Sequence, residues 1–202
     1  MTKIETIARK HYGKLPYHNF AHALKVRRVA LKFIHRCKKY KVPVNREIVE
    51  IAALFHDAGY DKVKNNKEEL AGKITARELK TLKYPTGAVK QVQQTIMATK
   101  AGYPLKTTEQ KILRAADLSS FTESYKNFLA ASKKIEREYH LLHDGRPFPI
   151  RAWTKSILSY LKPKIQLTPK YYRDNFHAKA IKNIDRYLKN KNIDNLTRKF
   201  LI

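Results

Sequence analysis

The sequence predicts a mainly α-helical protein. Aromatic and aliphatic residues recur at i, i+3, i+4 and i+7 through most of the chain, and glycine and proline fall almost entirely between these periodic runs. At 202 residues the chain has the length of one domain, roughly 100 to 200 residues, and can bury a core without disulfides.

The periodic runs place helices near 2–11, 19–40, 46–57, 67–81, 86–97, 107–117, 121–142, 149–162 and 171–189, eight or nine in all. In the first, charges alternate every few residues with Ile4, Ile7 and Ala8. Pro16 precedes the second. Asn45 stands before Arg46 and Glu47 at the start of the third, an apolar run that ends beside Gly59. Thr107 or Thr108, ahead of Glu109 and Gln110, forms a capping arrangement for the sixth. Pro147 and Pro149 close the last long connection. No internal repeat, low-complexity segment or dividing linker is visible, so one domain over 1–202 is expected.

The opening MTKIETIARKHYGK lacks an apolar core of signal-peptide length, and no later stretch reaches the ~18 uncharged apolar residues of a membrane span. A soluble, cytoplasmic protein with no membrane partner is expected. Cys37 is the single cysteine, which excludes an internal disulfide and a cysteine-rich metal site. A metal would need histidine and carboxylate ligands. Lys and Arg number 43 against 17 Asp and Glu, a net +26 spread along the whole chain. Such a field concentrates phosphates, nucleotides and nucleic acids, although plain solubility explains it equally well.

Three segments carry chemistry. Leu15-Pro16-Tyr17-His18-Asn19-Phe20-Ala21-His22 sets two imidazoles four apart, expected on one face of the helix after Pro16. One would bind metal while the other faces substrate. Ile51 to Asp61 ends an apolar helix on His56-Asp57, costly to bury unless a cation sits there. A His-Asp hydrogen bond closing the helix is the alternative. In Lys111 to Leu118, Asp117 interrupts an apolar face, and Ala115 and Ala116 let that helix approach closely; alone, Asp117 reads as a helix-exit residue.

Together these give His, then His-Asp, then a distant Asp, each on its own helix. In that order the sequence resembles the HD-domain metal-dependent phosphohydrolases, and among them the small stand-alone bacterial members. YHNFAHALKV is also similar to the opening motif of the cyclic-nucleotide phosphodiesterases. The resemblance covers about residues 10–190. It implies His22, His56, Asp57 and Asp117 as ligands of one divalent ion, Mn, Fe, Co, Ni, Zn or Mg. It further implies in-line attack of a metal-acidified water on phosphorus, with Asp57 accepting the water's proton and His18 protonating the departing oxygen. Asp61, Glu68 and Glu69 match acidic positions that often face the pocket.

One departure stands out. Many members carry another histidine after a segment like Thr95 to Lys100, whereas this chain has no histidine between Asp57 and Tyr139. That favours one metal ion over two. Lys100 would then hold a phosphate oxygen as a point charge, or be a plain solvated lysine. Lys25, Lys62 and Lys100 are the cations nearest in sequence for an anionic substrate.

A second doublet, His143-Asp144, reads as a helix end, and His11, His35 and His177 as surface residues. Tyr60, Tyr103, Phe121 and Tyr125 are candidates to stack on a base, or core residues. The expected partner is an anionic phosphorylated small molecule of nucleotide type. The alternative is a catalytically inactive scaffold that binds RNA or DNA through its basic surface. Which phosphorylated molecule, and which oligomeric state, the sequence leaves open.

Overall fold

The computed structural model describes residues 2–161 and 176–190. Among them α1 (Lys3–Arg9), α2 (Phe20–Lys39), α3 (Arg46–Phe55), α4 (Lys67–Thr81), α5 (Thr86–Ile96), α6 (Thr108–Asp117), α7 (Tyr125–Leu142), α8 (Ile150–Leu161) and α9 (Phe176–Asn190) form, with short 3-10 turns over Met97–Thr99 and Leu118–Thr122 and no strand. The all-helical expectation holds. No helix of the described residues is long and apolar enough to cross a membrane.

Backbone contacts gather the chain into two compact units, residues 1–117 and 118–202. In the first, α3 is the central element. Ile48, Val49, Ile51, Ala52, Ala53, Leu54 and Phe55 are all buried, so the helix is apolar on nearly every side and must be surrounded. α2, α5 and α6 supply most of that cover, with α1 and α4 adding smaller contacts. Asn45 caps α3 through its side-chain oxygen, which accepts from the Ile48 amide at 3.3 Å.

The start of α6 resolves the choice between its two threonines. The Thr107 hydroxyl accepts from the Gln110 amide at 3.3 Å, and the Gln110 side chain accepts back from the Thr107 amide at 3.1 Å. Glu109 turns elsewhere and accepts from the Asn45 amide at 2.8 Å. Ala115 and Ala116 have no exposed surface, and α6 lies against both α2 and α3.

The second unit is built on α7, α8 and α9. Its core holds Phe121, Phe128, Trp153 and Tyr187, with ring centroids 5.8 to 6.1 Å apart. Phe121 and Tyr125 are therefore packing residues, as one of their two readings held; Tyr125 stacks on Phe128 at 6.0 Å and carries Arg186 over its other contact. The helix expected from 121 starts later. Leu118–Thr122 tightens into a 3-10 turn, and Ser124 opens α7 by accepting from the Asn127 amide. His143 ends α7 and Asp144 takes a left-handed φ of 52°, so the second doublet is a helix end. Residues 162 and 171–175, expected to be helical, lie outside the described residues, as does the side chain of His177.

Candidate metal centre

Asn19 decides the geometry of the first histidine pair. It caps α2, its side-chain oxygen accepting from the His22 amide at 3.1 Å while its own amide reaches back to the Leu15 carbonyl at 2.8 Å. The helix therefore begins at Phe20, and His18 lies in the bend before it. The two imidazoles are not on one helical face, contrary to the spacing argument. They still approach, with ring centroids 5.9 Å apart, because the bend folds back over the first turn.

His22 points inward from α2 and meets the end of α3 and the end of α6. Its Nε2 is 3.2 Å from Asp117 Oδ1, 3.4 Å from His56 Nε2 and 3.6 Å from Asp57 Oδ2. His56 Nε2 is 2.9 Å from Asp57 Oδ2 and 3.5 Å from Asp117 Oδ1. The side chains of His22 and His56 are 6% and 1% exposed, those of Asp57 and Asp117 12% and 23%, so water can screen little of this crowding.

The hydrogen-bond roles leave this cluster one kind of atom. His56 Nδ1 donates to the Ala53 carbonyl at 3.0 Å, which turns the Nε2 lone pair toward the carboxylates. Asp57 Oδ2 is buried and accepts no hydrogen bond of acceptable angle even from the nearby imidazole. Burial lowers the His22 imidazole below its ordinary value. Burial would lower His56 too, but Asp57 and Asp117 push it well above. Burial would raise both carboxyls, yet the histidines hold Asp117 and Asp57 below the usual carboxylate range. Imidazole and carboxylate ligand atoms from three helices thus converge on one point, and the charge of Asp57 and Asp117 there favours a cation, whether a proton on His56 or a metal ion. His22, His56 and Asp117 alone present three ligand atoms within 4.8 Å of one another, and a mixed imidazole-carboxylate set suits a borderline divalent ion.

A scan against family models matches the HD domain over residues 19–121, just over half of the chain, and that stretch contains all four converging residues. The chain belongs to the HD-domain family. HD domains bind divalent metals and are typical of metal-dependent hydrolases, and the donor set here fits that chemistry. No curated protein and no solved structure matches the chain significantly.

Other expected site residues of this HD domain are placed unevenly. His18 stacks on Tyr60 at 3.8 Å with an interplanar angle of 12°. Lys67 Nζ lies 3.3 Å from the same ring centroid. Both cannot occupy one face at such distances, so Tyr60 is sandwiched between them and has no free face for a base. Glu68 is pushed up by burial, with Glu69 and Asp57 adding to the shift. Glu69 is held down by its ion pair with Lys100. Lys100 is thus engaged by Glu69 while its side chain stays 41% exposed.

Asp61 is exposed and lies against Gly13, where a Cβ would come within 2.3 Å of its Oδ2, so it faces the 10–15 loop. Lys25 is half-buried one turn beyond His22, and Lys62 is exposed, where its charge acts on His11. Tyr103 is half-buried. His11 is not a surface residue: its side chain is 12% exposed, and its Nε2 sits 3.2 Å from Glu78 Oε1.

Arg114 escaped sequence reasoning. It is fully buried, and its guanidinium donates to the Ala98 carbonyl and, at 2.7 Å, to the Lys100 carbonyl. It holds the segment Ala98 to Lys100. In a chain of 43 lysines and arginines nothing about its neighbours distinguishes it. The one available signal is its place on the otherwise apolar face Ile112, Leu113, Ala115, Ala116.

Proposed function

We propose that this HD domain is a metal-dependent phosphohydrolase that cleaves a phosphate ester or phosphoanhydride of a nucleotide-like substrate. The observation that carries the reading is the convergence of His22 Nε2, His56 Nε2, Asp57 Oδ2 and Asp117 Oδ1, with one buried carboxylate oxygen left without a hydrogen bond. His22, His56, Asp57 and Asp117 would hold one divalent ion. When bound, such an ion supplies Lewis acidity toward water and toward a phosphoryl oxygen.

The remaining work falls to the chain. Asp57 takes the proton of the attacking water, using the carboxylate oxygen that does not face the ion. His18 delivers a proton to the departing oxygen, its ring orientation held by the stack on Tyr60. The Ala53 carbonyl fixes the His56 tautomer, as an outer partner does for a ligating imidazole. The low exposure of both histidines keeps bulk water from the reacting centre.

Elemental analysis of protein purified without chelator tests this, on wild type and Asp57→Ala, followed by a phosphatase and phosphodiesterase panel with the metal restored. We expect about one equivalent of metal in the wild type, its loss in the variant, and turnover of at least one phosphate at a rate lowered at least about 100-fold in the variant. Wild type that takes up no metal and hydrolyses nothing would leave the inactive, nucleic-acid-binding scaffold as the better account.

A further inference from the structure

The outer face of α2 differs from the surface around it. Its apolar side, Phe20, Ala23, Val26, Ala30, Phe33, Ile34 and Cys37, is packed into the first unit. On the opposite side Lys25, Arg28, Lys32, His35 and Lys39 follow one another at steps of three or four residues, which sets them in one row. The helix carries seven lysines and arginines and no acidic residue. By contrast α1, α3, α4 and α6 each mix both signs. Arg28, Lys32, His35 and Lys39 are all exposed. The row begins at Lys25, one turn past His22, and runs away from the metal centre for about 21 Å at 1.5 Å per residue.

We propose that this row is a track for the phosphates of a single-stranded nucleic acid, which leads a phosphodiester bond into the metal centre and makes an oligonucleotide the substrate. The inference rests on the phosphohydrolase reading above and names the substrate class for the same site. A linear array of cations matches a linear array of phosphates, and a free mononucleotide would use only its first member. An anionic membrane fits less well, because among the described residues Tyr40, at the far end of the row, is the one exposed large apolar side chain beside it, too little to anchor in a bilayer. A duplex fits less well, because the ligands lie recessed, at most 23% exposed, where one strand can reach and a paired one cannot. Hydrolysis there adds one water across one P–O ester bond. Phosphorus gains the water's oxygen, and the departing sugar oxygen leaves with a proton.

The test neutralises the middle and far end of the row. The triple variant Arg28→Gln, Lys32→Gln, Lys39→Gln is compared with the wild type and with a control that removes the same charge elsewhere, at exposed Lys80, Lys90 and Lys106. Binding of short labelled DNA and RNA single strands is followed by fluorescence anisotropy across a salt series. The α2 variant is expected to lower the log–log salt slope by about 2, at ~0.7 per lost phosphate contact, and to weaken binding about 100-fold at 0.1 M salt. The control is expected to change the slope by less than half as much. Equal losses in both triples, an unchanged slope in the α2 variant, or duplex bound as tightly as single strand would each overturn the track.

Manganese-dependent turnover of the small diester bis(4-nitrophenyl) phosphate separates the two proposals. If the wild type hydrolyses it and the α2 variant does so at the same rate while losing oligonucleotide cleavage, both stand. If the wild type fails on it but the binding difference appears, the phosphohydrolase reading and the oligonucleotide substrate fall together, and the row survives only as a binding surface.

Discussion

Arg114, on the helix that ends at Asp117, anchors a neighbouring backbone segment from inside the core. Its guanidinium donates to two backbone carbonyls, at Ala98 and Lys100, the second of which also accepts from the Tyr103 amide at 3.2 Å. Arg114→Met would keep the apolar stem but take the guanidinium from the Ala98 carbonyl, leaving Lys100 with the Tyr103 amide alone, and should lower the unfolding free energy by about 2 kcal/mol in urea titration. Arg114→Lys should rescue little of this, since one ammonium cannot present the planar fork that reaches both oxygens. A midpoint equal to wild type in either variant would show the segment to be held by other contacts. At this scale the four converging residues were singled out in the sequence by their order, His22, then His56-Asp57, then the distant Asp117. The placement of His18 and the role of Arg114 were not legible there. The position of His18 turned on Asn19 acting as a cap, a signal outweighed by Pro16 three residues earlier. Arg114 is explained only by carbonyls that tertiary packing brings beside it.

Among the elements, α1, α2 and α3 are joined by a chain of charges. Arg27 pairs with Glu5 on one side and, at 2.7 Å, with Glu50 on the other, and Arg46 also reaches Glu50. Burial raises the Glu50 carboxyl, but hydrogen bonds from Arg46 and Arg27 outweigh that and hold it below its ordinary 4.5. A carboxyl depressed in the folded state stabilises the fold above its unfolded value and loses that contribution as pH falls through the folded one. Stability should therefore decline below pH 4.5 more steeply in the wild type than in Glu50→Gln, as read from melting temperatures at closely spaced pH values. Parallel curves would sink this assignment. Helix positions were the most legible feature of the sequence, since the 3.6-residue period is strong from α1 to α6. Their ends depended on local chemistry. The segment before α7 was read as helix because Phe121 continues the apolar period, yet Ser124 restarts the count.

Over the whole molecule the net charge of +26 dominates. Like charges at this density repel within a Debye length of about 10 Å at 0.1 M salt and favour expansion. Raising potassium chloride from low to physiological ionic strength should therefore increase the melting temperature by ~2 to 4 °C, equivalent to about 1 kcal/mol for a chain of this size. A fall would show that attractive pairs such as the Glu5–Arg27–Glu50 chain outweigh the repulsion. The sign and size of the charge were plain from composition, and its concentration on one side of α2 became visible only once the buried side was known.

His22 and Asp117 are 95 residues apart along the chain and 3.2 Å apart in space. A cation held between them acts as a clasp on a very long loop, and closing such a loop is slow and entropically costly before the intervening helices have formed. The unfolded chain cannot offer the complete set of ligands, so metal capture would come late in folding and would lock what packing has already assembled. Refolding followed by the arrival of metal should then lag behind the return of helical signal.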